Sequence, residues 1–280
     1  MKRIAIQGIE GCYHDIAAHQ YFAEEEIELI CCSTFEQVFE SISQDPTVIG
    51  MAAIENTIAG SLLHNYELLR EAPVTIVGEH KLRIKHSIMC LPDDDWDTIT
   101  EVHSHPVALM QCRDYLNRHP QLKVVEAEDT AGAAADIARQ HLRGQAAICS
   151  KAAAPIYGMK VLEEGIETNK HNFTRFLVFS SPTRANLLRD IRTTDKASIV
   201  FSLHHAEGTL SQVLSVLSFY KLNLTKIQSL PIIGREWEYL FYVDVIFTDY
   251  TRYTQGIDAI RPLTSGLKIL GEYRHGQESV

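Results

Sequence analysis

Between residues 166 and 179 the chain reads Ile-Glu-Thr-Asn-Lys-His-Asn-Phe-Thr-Arg-Phe-Leu-Val-Phe. Asn169, Asn172, Thr174 and Arg175 arrive together where a polar segment gives way to an apolar run beginning at Phe176. Amides, a hydroxyl and a guanidinium crowded at a strand entrance offer donors for an anion and a proton for a leaving group. A guanidinium can clamp a carboxylate through two parallel hydrogen bonds. A threonine hydroxyl is a poor acid, suited to donating a hydrogen bond or relaying a proton.

Four turns earlier in the chain have related chemistry: Gly8-Ile9-Glu10-Gly11-Cys12-Tyr13-His14, Glu55-Asn56-Thr57-Ile58-Ala59-Gly60-Ser61, Ser104-His105-Pro106 and Asp129-Thr130-Ala131-Gly132. In each, small or polar residues follow an expected strand and open an expected helix. A helix start presents unpaired N–H groups and a partial positive charge, and glycine lets backbone approach a ligand. Pro106 suits a first helical position, with Ser104 or His105 as cap. One such turn is ordinary capping. Four of them, with Arg175, point to a cleft for a small carboxylate or phosphate, the reaction undefined. No phosphate-loop motif is present, and Gly8-x-x-Gly11 lacks dinucleotide spacing.

The elements that must position these residues alternate. Strands are expected at 3–7, 48–54, 74–79, 87–91, 101–104, 123–127, 146–150 and 176–180, and helices at 15–22, 34–43, 62–70, 106–117, 130–140 and 150–155. That alternation predicts α/β layers with mostly parallel strands, whose ligands sit beyond the strands' carboxyl ends. A break follows Ser180-Ser181-Pro182, and 184–196 is polar. Beyond it the order strand 198–203, helix 208–220, strands 223–230 and 239–247, helix 251–260, strand 267–273 is the ferredoxin-like βαββαβ pattern. Trp237, Tyr239, Phe241 and Tyr242 are expected in a core or interface.

Bulk properties narrow the function. The net charge is −10, which argues against nucleic acid. Residues 1–181 hold 15 basic and 26 acidic side chains, residues 182–280 hold 11 and 10. An anion bound by the first part must therefore be held by local donors rather than a long-range field. The six cysteines are scattered without a C-x-x-C pair, which predicts reduced thiols and no zinc site; Cys31-Cys32 reads as core, and Glu24–Glu28 as a solvated charge run. Met1–Gly8 reads as a first strand rather than a signal peptide, and no apolar run approaches a membrane span. A cytoplasmic location is expected.

The same segments resemble, in order, the signatures of the prephenate dehydratase family. Gly8…Glu10-Gly11-Cys12-Tyr13 resembles its Gly-Pro-x-Gly-Thr-Phe, and Ile54-Glu55-Asn56-Thr57 its Ile-Glu-Asn-Ser. Ser104-His105-Pro106-x-Ala108-Leu109-x-Gln111-Cys112 is similar to its Ser-His-Pro-x-Ala-Leu-x-Gln-Cys. Asp129–Ala134 is similar to its Ser-Thr-Ala-rich turn, and Thr174-Arg175-Phe176 to its Thr-Arg-Phe. Cys12 stands for a usual Thr, His14 for a common Ser and Thr57 for Ser. Toward the C-terminus, Glu207-Gly208-Thr209-Leu210 resembles the Pro-Gly-Ala-Leu turn of ACT domains. Asn223–Pro231 resembles Asn-Leu-Thr-x-Ile-Glu-Ser-Arg-Pro, with Gln228 and Leu230 in place of Glu and Arg.

The resemblance implies a two-lobed catalytic domain of the type II periplasmic-binding-protein kind over 1–181, a linker over 182–196 and an ACT regulatory domain over 197–280. No fused chorismate mutase is expected before the first domain. It implies dehydration and decarboxylation of prephenate to phenylpyruvate, without cofactor or metal, in phenylalanine biosynthesis. Thr174 would donate to the leaving hydroxyl and Arg175 clamp a carboxylate, with Asn56 and Thr57 beside them. Gly11, Cys12, Tyr13, His14, Ser104, His105, Thr130, Ala131, Asn169, Asn172 and Phe176 would line the substrate site. L-Phenylalanine would bind around Leu203, His204, Glu207, Gly208, Thr209, Leu210, Asn223, Leu224, Gln228 and Ser229, in a homodimer or homotetramer. Arogenate dehydratase, the same elimination on the amino analogue, remains open, as does a non-catalytic amino-acid-binding protein.

Overall fold

In chain order the elements are β1 (Lys2–Gln7), α1 (Tyr13–Tyr21), β2 (Ile27–Cys32), α2 (Phe35–Gln44), β3 (Ile49–Asn56), β4 (Gly60–Ser61), α3 (Leu63–Glu71) and β5 (Thr75–Arg83). Next come β6 (Ser87–Cys90), β7 (Glu101–Ser104), α4 (Pro106–Gln111), α5 (Arg113–Asn117), β8 (Lys123–Glu126), α6 (Thr130–Gln140), β9 (Gln145–Cys149), α7 (Ala153–Tyr157) and β10 (Lys160–Glu164). The remainder are β11 (Phe173–Ser180), α8 (Pro182–Leu188), β12 (Lys196–Ser202), α9 (Thr209–Phe219), β13 (Asn223–Pro231), β14 (Tyr239–Ile246), α10 (Tyr250–Ile260), β15 (Ser265–Tyr273) and β16 (Glu278–Ser279). This is a computed structural model of the 280-residue chain, describing all residues except 205, 233, 235–237, 277 and 280, and only the backbone of 278 and 279. Trp237 therefore lies outside the described residues.

The fold is mixed α/β with two sheets. In one, the strands nearest the N-terminus run β2-β1-β3-β11-β5; the other runs β8-β7-β9-β6-β10. The two orders correspond. In each, a strand arriving from the other sheet, β11 or β6, lies antiparallel between its neighbours. This corrects the expectation of mostly parallel strands: among the strands of residues 1–181, the parallel pairs are β1–β2, β1–β3, β7–β8 and β7–β9. The physical reason is connectivity. The chain crosses between sheets at 84–86 and again at 165–172, and the strand that enters each sheet from a crossover, β6 or β11, runs against its neighbours.

β2 and β10 were not expected. β2 is an edge strand beside the Glu24–Glu28 charge run; Cys32 is buried but Cys31 is exposed, because successive side chains of a strand face opposite ways. The expected 106–117 helix breaks at Cys112 (φ −102°, ψ 16°) into α4 and α5. The polar stretch after Pro182 holds α8, which has proline at its start and buries Ala185. In α2, Thr34 caps the Gln37 N–H, and Val38, Phe39 and Ile42 turn inward at helical spacing. Phe39 stacks on Phe179 of β11 with ring centroids 4.5 Å apart.

Residues 196–273 form βαββαβ, with β13-β14-β12-β15 antiparallel. Tyr242 is buried there, while Tyr239 and Phe241 are partly buried. This sheet is continuous with the first one through a single parallel pair, Gly271 with Ile76. A Cβ at Gly271 would lie 2.3 Å from the Ile76 carbonyl oxygen, so the junction closes only on glycine.

Candidate active site

The carboxyl ends of the parallel strands of both sheets face one another across a cleft of about 430 Å³. All four turns contribute to it: Cys12, Tyr13 and His14; Asn56 and Ala59; His105; Asp129 and Thr130. Thr174 and Phe176 enter from β11.

Strand alternation decides which neighbours share the cleft. Thr174 pairs with Asn56 across β11–β3, and Arg175 with Glu55. Thr174 and Asn56 point into the cleft; Arg175 and Glu55 point out of the other face. Arg175 is buried there. Its Nε bonds Glu79 at 2.7 Å, its Nη1 Asp244 at 2.5 Å and Glu55 at 3.4 Å, and its Nη2 the Tyr273 hydroxyl at 3.1 Å. This corrects its reading as a substrate clamp: the guanidinium is saturated by protein carboxylates on the side away from the cleft. Lys196 joins from β12, at 2.8 Å from Glu79, and Lys226 pairs with Glu55. Burial raises the Glu79 pKa, but Arg175 and Lys196 outweigh it and bring it to about 2.

Hydrogen bonds set the direction of the cleft amides. Asn56 Oδ1 accepts the backbone N–H groups of Ile58 and Ala59, each at 2.9 Å, so its amino group must be Nδ2. That group donates to Thr174 Oγ1 at 2.9 Å and to Asn172 Oδ1 at 2.7 Å. The Thr174 oxygen therefore accepts, and no protein acceptor takes its proton among the described residues.

Other expected site residues fall elsewhere. Thr57 bonds the backbone of 171 and 173 from outside the cleft, since its side chain follows Asn56 onto the turn. Asn169 is exposed and accepts the His171 N–H, shaping its own loop. Ser104 is fully buried and donates to the Ile148 carbonyl of the adjoining strand; Ala131 is buried inside α6. Gly11 (φ +84°) faces the second lobe rather than the cavity. A Cβ there would sit 2.9 Å from Ala153 Cα, and its carbonyl accepts from Ser150 at 2.5 Å. Asn172 stands behind the cleft wall, fully buried, donating to Gln111 Oε1 at 2.9 Å.

His14 packs edge-on against Phe35 and Phe176, and its Nε2 accepts the Ala53 N–H. Burial lowers its pKa to about 4, so it is neutral at pH 7. Burial pushes the Cys12 thiol up to about 12, which removes it as a nucleophile. His105 caps α4 through Nδ1. None of the described lining residues is Lys or Arg, while Glu36, Glu128 and Asp129 are acidic. Among the described residues no group of three His, Cys, Asp or Glu is arranged for a metal, and no helix is long and apolar enough to cross a membrane.

Sequence reasoning missed His86 and, as a site residue, Gln111. Both are buried polar side chains at the cleft. His86 lies in the three-residue junction between β5 and β6, where neither periodicity nor a turn motif marks it. In the C-terminal part, the 203–210 turn and β13 stand on strands separated by β14, and no hydrogen bond joins them among the described residues. Leu203 is buried; His204, Glu207, Gly208, Asn223 and Ser229 are exposed; Thr209, Leu210 and Leu224 are half-buried. Thr209 donates to the carbonyls of His204 and Ala206, and Gln228 accepts from Ser61.

The prephenate dehydratase family model matches residues 4–184. The chain is 35% identical to arogenate dehydratase 1 of Petunia hybrida, over 97% of this chain and 66% of that protein. It is 31% identical to the bifunctional chorismate mutase/prephenate dehydratase of Escherichia coli K12, over 97% and 70%; it thus spans about two thirds of these relatives' length. Among solved structures, GqqA, described as a quorum-quenching acylase, is similar with TM-score 0.85 and 28% identity over 98% of both chains. The prephenate dehydratase of Arthrobacter aurescens in complex with L-Phe has the same fold, with TM-score 0.87 and 24% identity over 99% of this chain and 92% of that one.

Proposed function

The chain belongs to the prephenate dehydratase family, and from that premise we propose that it converts prephenate to phenylpyruvate, carbon dioxide and water in the cytoplasm, toward L-phenylalanine. The observation that carries the reading is the Thr174 hydroxyl, whose oxygen accepts from Asn56 and whose proton is left for the cleft. The C–C bond to the ring carboxylate breaks, its electron pair enters the ring, and the opposite C–O bond breaks with its electron pair on the departing hydroxyl, which takes up one proton from solvent to leave as water. Aromatisation makes the step downhill, so the site has to orient the substrate and stabilise the departing oxygen. Thr174 does the second as a hydrogen-bond donor aimed where negative charge develops. Thr130 and backbone N–H groups at the helix starts hold the carboxylates, while Asn56, both of whose amide hydrogens are engaged, orients Thr174.

A second reading is favoured by one feature. A cleft whose described lining holds Glu36, Glu128 and Asp129 and neither Lys nor Arg suits an ammonium better than a second full negative charge. Asp129 accepts from Gly132 through Oδ1, and its Oδ2 faces the Gly8–Cys12 turn. Arogenate, the amino analogue, would place its ammonium there. Steady-state kinetics with prephenate and arogenate in parallel decide between the two. Thr174→Ala should lower kcat for the accepted substrate by at least about 100-fold with the fold intact; near wild-type turnover sinks the reading. Acyl-amide hydrolysis is disfavoured, because Thr174 pairs with an amide rather than with a general base.

We read residues 1–181 as the two-lobed, type II periplasmic-binding-protein-like catalytic domain, 182–196 as linker and 197–280 as a ferredoxin-like ACT domain that binds L-phenylalanine and pairs edge to edge through β13. Its support is the βαββαβ order, the exposed edge of β13 and the two motif segments. Calorimetry of the full chain with L-phenylalanine should show saturable heat that is lost on Gly208→Val; no heat with the wild type counts against regulation.

A further inference from the structure

The amide directions do not stop at Asn56. Because Asn56 Nδ2 donates to Asn172 Oδ1, Asn172 presents its Nδ2 to Gln111, 2.9 Å from Oε1. Gln111 therefore turns its oxygen toward Asn172, and its Nε2 donates to Asn56 Oδ1 at 3.3 Å. The same Gln111 oxygen lies 2.8 Å from His86 Nε2. An oxygen cannot donate, so His86 Nε2 must carry a hydrogen. Its other nitrogen, Nδ1, is then the acceptor of the neutral ring; it lies 2.8 Å from the Tyr13 hydroxyl, whose single proton it shares with the Lys85 carbonyl at 2.9 Å.

The parts come from different places in the fold. Tyr13, Asn56 and Thr174 belong to the first lobe and Gln111 to the second. His86 and Asn172 lie on the two segments that cross between them. His86 is itself fixed by its backbone: its N–H donates to the buried Glu167 carboxylate at 3.0 Å, and its carbonyl accepts from Ile166 on the other crossover. Its ring packs edge-on to Tyr13 at 5.5 Å. A rotation of the Gln111 amide would bring Nε2 against the His86 Nε2–H and the Asn172 amino group and its oxygen against Asn56 Oδ1, leaving three buried clashes of like polarity.

We infer that His86 is a positioning residue for the elimination: its Nε2–H locks the Gln111 amide, which with Asn172 holds the Asn56 amino group on Thr174, so that the Thr174 proton points into the cleft. The Gln111 oxygen fixes the His86 tautomer, and Tyr13 meets Nδ1 from the far side. The inference rests on the reading of Thr174 as the donor.

The test separates the two. His86→Leu should lower kcat about tenfold or more, the consequence of losing one buried hydrogen bond that acts in the transition state, with KM within about twofold. His86→Gln, whose Nε2 can reach the same acceptor, should retain kcat within about threefold. Combining His86→Leu with Gln111→Leu should cost little more than Gln111→Leu alone, since both act through one amide. In the unaltered protein, 15N shifts of the imidazole should show the Nε2–H tautomer, a readout that needs neither substrate nor turnover. The Nδ1–H tautomer, multiplicative losses in the double variant, or equal impairment in the Gln and Leu variants would overturn it. An active Thr174→Ala overturns the reading beneath it; an inactive Thr174→Ala with a fully active His86→Leu overturns only the role of His86.

Discussion

His14 sits against Phe35 and Phe176 with Nε2 accepting the Ala53 N–H. An imidazole so placed is held neutral by burial, and its pKa falls from the ordinary 6.5 to about 4. In the unfolded chain it protonates near 6.5, so its stabilising contribution is complete above that pH and is lost as pH falls through about 4. The difference amounts to about 3 kcal/mol. His14→Asn, whose side-chain oxygen can still accept the Ala53 N–H, should flatten the stability curve by about that amount between pH 6.5 and 4. Urea denaturation of both proteins at a series of pH values measures it; parallel curves would mean the ring is not buried neutral. The position was legible as a helix-start residue. Its neutrality was not, because it depends on two aromatic rings brought from α2 and β11.

At the scale of elements, β11 divides the two fates of adjacent residues. Thr174 and Phe176 face the cleft, and Arg175 between them faces a buried ionic cluster with Glu79 of β5, Asp244 of β14 and Glu55 of β3. Arg175→Met should therefore act on stability: removing the cation leaves Glu79 and Asp244 buried with too little counter-charge, at a cost of about 3–5 kcal/mol. Equilibrium unfolding gives the number. A variant that keeps its stability and loses only substrate affinity would restore the clamp reading. The cluster should also weaken in acid. The Glu79 carboxyl is held near pKa 2 against burial by Arg175 and Lys196, so its contribution is present above about pH 4.5 and disappears as pH drops toward 2.

At the scale of the whole molecule, the two halves of the large sheet meet at Gly271 and Ile76. The ionic cluster lies beside this seam, with the Tyr273 hydroxyl of β15 accepting from Arg175 and hydrogen-bonded to Ser198. Gly271→Ala would place a methyl group 2.3 Å from the Ile76 carbonyl oxygen, forcing β15 off β5 at an overpacking cost of about 1–3 kcal/mol. Amide hydrogen exchange should then accelerate along β5 and β15 while β1 and β3 keep their protection. Uniform acceleration would mean that the sheet opens as one unit.

Most of the order of strands and helices, the four turns and the Thr174 strand entrance were readable from residue types and spacing, because capping, turn chemistry and apolar periodicity are local; the exceptions include β2, β10 and α8. The family signatures lay in the same segments for the same reason. What the tertiary structure decided was pairing: which side of β11 each neighbour faces, which strand enters each sheet antiparallel, and which amide meets which. Which of Arg175 and Thr174 faces the cleft is not marked in the sequence; the two-residue period of the strand and the carboxylates on its far face separate them. His86 carries no local signal at all, since its role depends on Tyr13 and Gln111, residues 73 and 25 positions away, being brought to its two nitrogens by the crossing of the chain between lobes.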